Sequence, residues 1–288
     1  MKIRLSVPYA PGDVWAVTPL IRDFAEQSPG DVLYVDHPYP EITAGNPFAA
    51  GPCERYDMDE VFTFHCDRAE DDRHYYGMDR RSSLAGDFYR FLCERTGRRI
   101  ERRTLAAEFY PSSFEREYSL VPTDRKICVL NAGHKNDVPV KSWGVERFRR
   151  VVEALRDRVL FVQVGAKRTG QDFHTSIPGC LDMLGKTTLR ELAVLVYHAD
   201  FVLTGISQLH HAAGMPCYKP RHCITIAGAR EPENWANCYS RDGVTWHWID
   251  EKTCTGEEPG CWANFCQDCP AMAGITPERI TNIMENLI

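Results

Sequence analysis

Apolar positions near the start of the chain change period within a few residues. Residues 3–7, Ile-Arg-Leu-Ser-Val, alternate and predict a short strand. Behind the turn Pro11-Gly12-Asp13, Val14, Val17, Ile21 and Phe24 recur at helical spacing and predict a helix over 14–27. Apolar runs at 32–35 and 61–64 predict two more strands, and Leu84, Phe88, Phe91 and Leu92 a helix over 83–96. Residues 67–79 are polar and aromatic and read as a loop. Beyond Pro122 the alternation resumes: strand 127–131, helix 145–155, strand 159–164 ending in Gly165, and strand 223–226. Thr276-Pro277-Glu278 reads as a helix start, with proline at the first helical position and an acid beside the positive end of the dipole.

Residues 184–216 form the most informative stretch. Thr188 and Glu191 have capping-box spacing, and Leu189, Leu192, Ala193, Val196 and Ala199 follow at helical period. A short apolar strand at 201–203 leads through Gly205-Ile206-Ser207-Gln208 into a helix starting near Leu209 and carrying His210 and His211. A strand that turns directly into a helix leaves free N–H groups at the strand's carboxyl end, a place suited to a phosphorylated ligand. Strands alternating with helices in both halves imply an α/β protein with doubly wound parallel sheets, in two lobes joined near residues 120–126.

Composition narrows the function class. With 43% hydrophobic and 26% charged residues the 288-residue chain is ordinary globular material. A net charge of -6 argues against generic nucleic-acid binding, and the arginines of 95–103 read as a solvated face. No apolar run approaches the roughly 20 residues that span a bilayer, and the N-terminus lacks the apolar core and cleavage pattern of a signal peptide, so a cytoplasmic protein is expected. Of twelve cysteines, Cys254, Cys261, Cys266 and Cys269 follow the spacing C-x6-C-x4-C-x2-C. Two thiolates two residues apart can chelate one ion, and four sulfurs suit tetrahedral zinc or iron in a closed, structural site. Unligated thiols are the alternative, or disulfides in an oxidising compartment.

Four blocks in order give the chain a family likeness. They are Gly12-Asp13-Val14 with Thr18-Pro19 and Arg22; Asn131-Ala132-Gly133 with Lys141-Ser142-Trp143; Gly185-Lys186-Thr187 through Glu191-Leu192; and Ser207-Gln208-Leu209 with His211-Ala212-Ala213. Together they resemble glycosyltransferase family 9, which contains the lipopolysaccharide heptosyltransferases. The resemblance implies a GT-B fold: two Rossmann-like lobes facing a central cleft, residues 1–122 on the acceptor side and 123–288 binding a nucleotide sugar. It implies an inverting transfer of a sugar, ADP-heptose being a candidate donor, to a hydroxyl of a glycan, a protein or another acceptor. Two departures stand out: Ile206 replaces an acidic residue of the family, and Gln208 a glycine.

The chemistry assigns roles. Transfer with inversion needs a base for the acceptor proton and positive charge for the leaving diphosphate. Asp13 is the candidate base, or simply the cap of its helix. Lys141 is the candidate cation, or a surface lysine beside Trp143. Asn131, Gly133, Gly165, Lys186, Thr187, Ser207, Gln208 and His211 are candidate donor contacts, the glycines because they allow close approach of a ligand. His211 fits the family histidine better than His210, since two alanines follow it; a core or capping histidine is the alternative. Relatives that glycosylate autotransporter proteins carry a four-cysteine iron site in the region of residues 254–269, so the resemblance raises iron against zinc. Competing readings are a GT-B-like sugar-nucleotide epimerase and a non-catalytic nucleotide-sugar-binding module, the latter favoured by Ile206 and Gln208.

Overall fold

The structure is a computed structural model that describes residues 1–8, 10–51, 58–64, 83–135, 138–166, 172–236, 239–251, 266 and 269–288. The chain divides into two compact units. Unit 1 comprises Met1–Ser112 with Gly214–Pro216 and Glu233–Arg241; unit 2 comprises Ser113–Ala213, Cys217–Pro232 and Asp242–Ile288.

Unit 1 holds a three-stranded parallel sheet in the order β2-β1-β3, from β1 (Lys2–Ser6), β2 (Val32–Asp36) and β3 (Glu60–Thr63). The first helix, α1 (Pro11–Gln27), begins three residues before the apolar pattern does. Pro11 takes the first helical position, where a missing N–H costs nothing. The Asp13 carboxylate in turn accepts the Ala10 N–H at 3.2 Å. Pro19 lies inside this helix and has no N–H for the Trp15 carbonyl four residues back. The Thr18 hydroxyl donates to that carbonyl at 2.8 Å and accepts the Glu108 N–H at 2.9 Å. The Thr-Pro pair is thus a self-repaired proline interruption fastened to a distant strand of chain. One turn on, fully buried Asp23 accepts from the hydroxyls of Tyr89 and Thr104 and from the N–H groups of Arg103 and Thr104. After α2 (Pro40–Thr43), α3 (Leu84–Thr96) starts as expected, with Ser83 accepting the Gly86 N–H at 3.0 Å. The polar stretch 67–79 lies outside the described residues.

Unit 2 is built on a six-stranded sheet in the order β11-β10-β9-β4-β6-β8, every neighbouring pair parallel. Its strands are β4 (Lys126–Asn131), β6 (Val159–Gln163), β8 (Leu181–Asp182), β9 (Phe201–Gly205), β10 (Arg221–Gly228) and β11 (Val244–Asp250). Numbered within the unit, that order is the 3-2-1-4-5-6 of a doubly wound nucleotide-binding fold. The central strands are apolar runs buried on both faces, as a covered parallel sheet requires. A two-stranded antiparallel pair, β5 (His134–Lys135) with β7 (Asp172–Phe173), stands beside it. Helix α4 (Ser113–Glu117) opens the unit; α5 (Val145–Leu155), α6 (Leu189–His198) and α7 (Gln208–Ala213) follow β4, β8 and β9. The Thr188 capping box forms as read: its hydroxyl accepts the Glu191 N–H at 3.1 Å, and the Glu191 carboxylate accepts the Thr188 N–H at 2.7 Å. Strand β11 and the short β8 lie outside the sequence expectation, and β10 is longer than expected at both ends. After α8 (Glu233–Ala236), which belongs to unit 1, the chain closes with α9 (Pro270–Gly274) and α10 (Pro277–Glu285), the latter capped by Thr276.

Candidate active site

In this sheet order the chain reverses its winding between β4 and β9, the switch point at whose carboxyl edge doubly wound folds bind their ligands. Asn131 ends β4 and is registered against Thr204 on β9. Its carboxamide oxygen accepts the Gly133 N–H at 3.1 Å, which turns the chain sharply off the sheet. On the other side, Ser207 follows β9. Its hydroxyl accepts the Leu209 N–H at 3.2 Å and shares a 3.0 Å hydrogen bond with Thr204 Oγ1, so it caps α7. Helix α7 has only six residues, too few to sum a large dipole, so the turn itself supplies what donors there are.

Lys141 reaches the same edge. It ends a single 3-10 turn, Pro139–Lys141, and two residues later Trp143 points into the core. The indole N–H donates to the Ile275 carbonyl at 2.8 Å, and the ring meets Phe148 edge-on at 4.8 Å. The Lys-x-Trp spacing therefore places an ammonium at the site while an indole two residues away fixes the turn that carries it. A Cβ on Gly205 would stand 3.4 Å from the Lys141 carbonyl and 3.7 Å from that of Ile226, so β9, β10 and the lysine turn converge here. The Lys141 Nζ donates to Glu231 Oε1 at 2.6 Å, and the Arg230 guanidinium bonds the same oxygen. The Glu231 side chain is 1% exposed and that of Lys141 29%. Burial alone would raise the Glu231 pKa, but Arg230 and Lys141 outweigh it and hold the carboxyl below its ordinary value.

His210 and His211 are neighbours on α7 whose rings meet edge to face at 5.2 Å. His210 is fully buried, hydrogen-bonded through Nδ1 to Thr225 Oγ1 at 2.9 Å and packed against the rings of Trp246 and Trp248. His211 is held well below its ordinary pKa by burial, by His210 and by Lys141, so it is neutral at physiological pH. It can offer a phosphate an N–H, not a charge.

The remaining candidates fall on several separate segments of the chain. Gly133 and Gly165 both face the imidazole of His174, and a Cβ at either would collide with it. The room those glycines make is thus filled by a side chain of this protein. The Gly185 N–H donates to the Gly165 carbonyl at 2.8 Å, which brings the 185–187 loop to the end of β6. Lys186 is exposed and turns back to donate to the Asp182 carbonyl at 2.6 Å; Thr187 and Gln208 are half-buried. Asp13, in unit 1, is half-buried at the third position of α1 and engaged in its cap. Cys254 and Cys261 lie outside the described residues; Cys269 is buried in the core of unit 2 and Cys266 packs against it. Among the described residues no cluster of three or more histidine, cysteine or acidic side chains could hold a metal ion.

Glu231 and Arg230 escaped the sequence reading. The signal was an Arg-Glu-Pro triplet just past a buried strand that ends in Gly228, at the edge where a doubly wound sheet gathers its polar groups.

A family model described as glycosyltransferase family 9 (heptosyltransferase) matches residues 90–261. The chain belongs to glycosyltransferase family 9. It is accordingly a glycosyltransferase, which selects that reading over the epimerase and the binding module. Its fold matches solved GT-B structures of the family over nearly its whole length. ADP-heptose lipopolysaccharide heptosyltransferase II of E. coli superposes with a TM-score of 0.69 at 15% identity, covering 100% of this chain and 98% of the other. The family 9 glycosyltransferase of Veillonella parvula gives 0.66 at 13%, covering 99% and 96%. TibC, a dodecameric iron-containing heptosyltransferase solved with ADP-D-β-D-heptose, gives 0.68 at 13%, covering 99% and 76%. No curated protein sequence matches the chain. Among the described residues no helix is long and apolar enough to cross a membrane.

Proposed function

We propose that this glycosyltransferase moves a heptose from ADP-heptose to an acceptor hydroxyl with inversion at the anomeric carbon, working in the cytoplasm. Unit 2 takes the donor and unit 1 the acceptor. The observation that carries the reading is the Lys141 ammonium at the carboxyl edge of the unit 2 sheet, beside the point where the winding reverses. In the proposed reaction Asp13 takes the proton of the acceptor hydroxyl, the oxygen bonds to the anomeric carbon, and the bond to the diphosphate breaks. Lys141 stabilises the charge that builds on the departing diphosphate. Asn131 and the turn N–H groups around Ser207 and Gln208 orient it, and neutral His211 contributes one N–H donor. Gly133 and Gly165 act indirectly, by seating His174 at the ends of β4 and β6, and the Gly185-Lys186-Thr187 loop lies against that edge. TibC's bound ADP-D-β-D-heptose supports the choice of donor.

Iron or zinc on Cys254, Cys261, Cys266 and Cys269 is part of the same proposal. The fit rests on Cys266 and Cys269, which share one apolar, largely buried setting at the start of α9, suited to a closed structural site. Such an ion would supply no chemistry beyond fastening the loop.

Thermal stabilisation by ADP-heptose, with mass spectrometry of the products, tests the function. Asp13→Ala should keep the stabilisation and lose transfer by about 100-fold or more, the usual contribution of a general base. Lys141→Ala should lose both. If ADP-heptose does not stabilise the unmutated protein, the proposal fails.

A further inference from the structure

Two buried carboxylates among the described residues, those of Asp23 and Glu108, engage both oxygens. Asp23 uses both oxygens, to Tyr89, Thr104 and two backbone N–H groups. Glu108 gives one oxygen to Arg241 and the other to Tyr110. Glu231, which sits beside Lys141, differs from these two. Its Oε1 is bonded to Lys141 and Arg230, while Oε2 is buried with no hydrogen-bond partner among the described residues. Burying a charged acceptor without a partner is costly, and a purely structural ion pair gains nothing by it.

The place of Glu231 in the fold gives that oxygen a use. Glu231 follows β10, whose Ile226 is registered against Gly205 of β9. The next residue of β9's turn is Ile206, an apolar side chain 6% exposed at the edge where the donor is proposed to bind. A sugar offers hydroxyl donors there, and Ile206 has nothing to accept them with.

We propose that Glu231 is the sugar-recognising carboxylate of this enzyme: Oε1 positions Lys141 for the diphosphate, and Oε2 accepts a hydrogen bond from a hydroxyl of the donor sugar. The arrangement uses one buried side chain from the end of β10 for two tasks, one on each side of the scissile bond. Arg230 keeps the carboxylate ionised even when Lys141 turns to the diphosphate. The assignment rests on the donor reading above.

The test compares ADP with ADP-heptose, by calorimetry on the full-length protein and its Glu231→Gln variant. A hydroxyl bonded to a charged acceptor is worth about 10- to 100-fold in affinity. Glu231→Gln should lose that factor for ADP-heptose beyond any change it makes for ADP, because the glutamine carboxamide oxygen can still accept from Lys141 while the second oxygen is replaced by an NH2 group. Should the glutamine variant not fold, Glu231→Asp takes its place. A loss shared equally by ADP and ADP-heptose, or no loss at all, overturns the assignment and leaves the donor reading standing. Wild-type protein that binds neither ligand overturns both.

Discussion

Thr18→Val is the sharpest probe of how the first helix tolerates its internal proline. The substitution keeps shape and removes one hydroxyl, which donates to the Trp15 carbonyl at 2.8 Å and accepts the Glu108 N–H at 2.9 Å. All three residues are buried, so both backbone groups lose a partner without gaining water. Each orphaned group costs about 1–3 kcal/mol, giving an expected destabilisation of roughly 2–6 kcal/mol. Pro19→Ala supplies the diagnostic second step. Alanine restores the N–H that the Trp15 carbonyl lacks, so in the Thr18→Val background it should recover about 1 kcal/mol relative to additivity. Thr18→Ser keeps both bonds and should cost only about 1 kcal/mol for the lost methyl. Urea unfolding by circular dichroism, with unchanged slopes, reads all four variants. A Thr18→Val protein within about 0.5 kcal/mol of wild type, or an additive cycle, would refute the repair.

Other outcomes follow from the site and its supports. His211 is held neutral when folded, so the unfolded chain binds the extra proton as pH falls through 6.5; stability should drop on acidification below that value, by at most about 1.4 kcal/mol per pH unit for this group. His222 and His247, also held low by burial, add with the same sign, and a urea midpoint that stays level from pH 7.5 to 5.5 would contradict it. Trp143→Phe orphans the buried Ile275 carbonyl and should cost about 1–3 kcal/mol while weakening donor binding through Lys141, a pairing that calorimetry and urea unfolding check together. Elemental analysis of anaerobically purified protein should find one equivalent of iron or zinc, reduced in Cys266→Ser; metal-free wild-type protein rules the four-thiolate site out.

Local rules carried much of the architecture. Helix 145–155 and the Thr188 capping box needed only spacing and neighbours a turn away, and the structure has both as read. The start of α1 was missed by three residues because the apolar pattern begins after Pro11, whereas the backbone was already committed by proline. Strand β11 was missed although Val-Thr-Trp-His-Trp-Ile is rich in strand formers. The motif residues were legible as blocks but not as roles. Thr18 and Trp143 work through partners 90 and 132 residues away, which no local pattern reports. His174 fills the glycine niche for the same reason: its placement follows β7, whose pairing with β5 joins segments far apart in sequence. Glu231 comes to Lys141 only because β10 lies next to β9.

The indole bond between Trp143 and Ile275 also fixes a timetable. A chain made from its N-terminus has synthesised Lys141 long before the carbonyl that secures its turn exists, since 132 residues separate donor from acceptor. Unit 1 waits as well, because Glu233–Arg241 belongs to it and Arg241 neutralises Glu108 from that late segment. Domains of nascent proteins generally fold as units, the N-terminal one first. Here neither unit can close in that order: a ribosome-bound chain stopped short of residue 241 lacks a piece of both, and one stopped short of 275 still carries an unanchored lysine. Competence to hold a donor should therefore arrive abruptly, with the last two helices, instead of accumulating as the polypeptide lengthens.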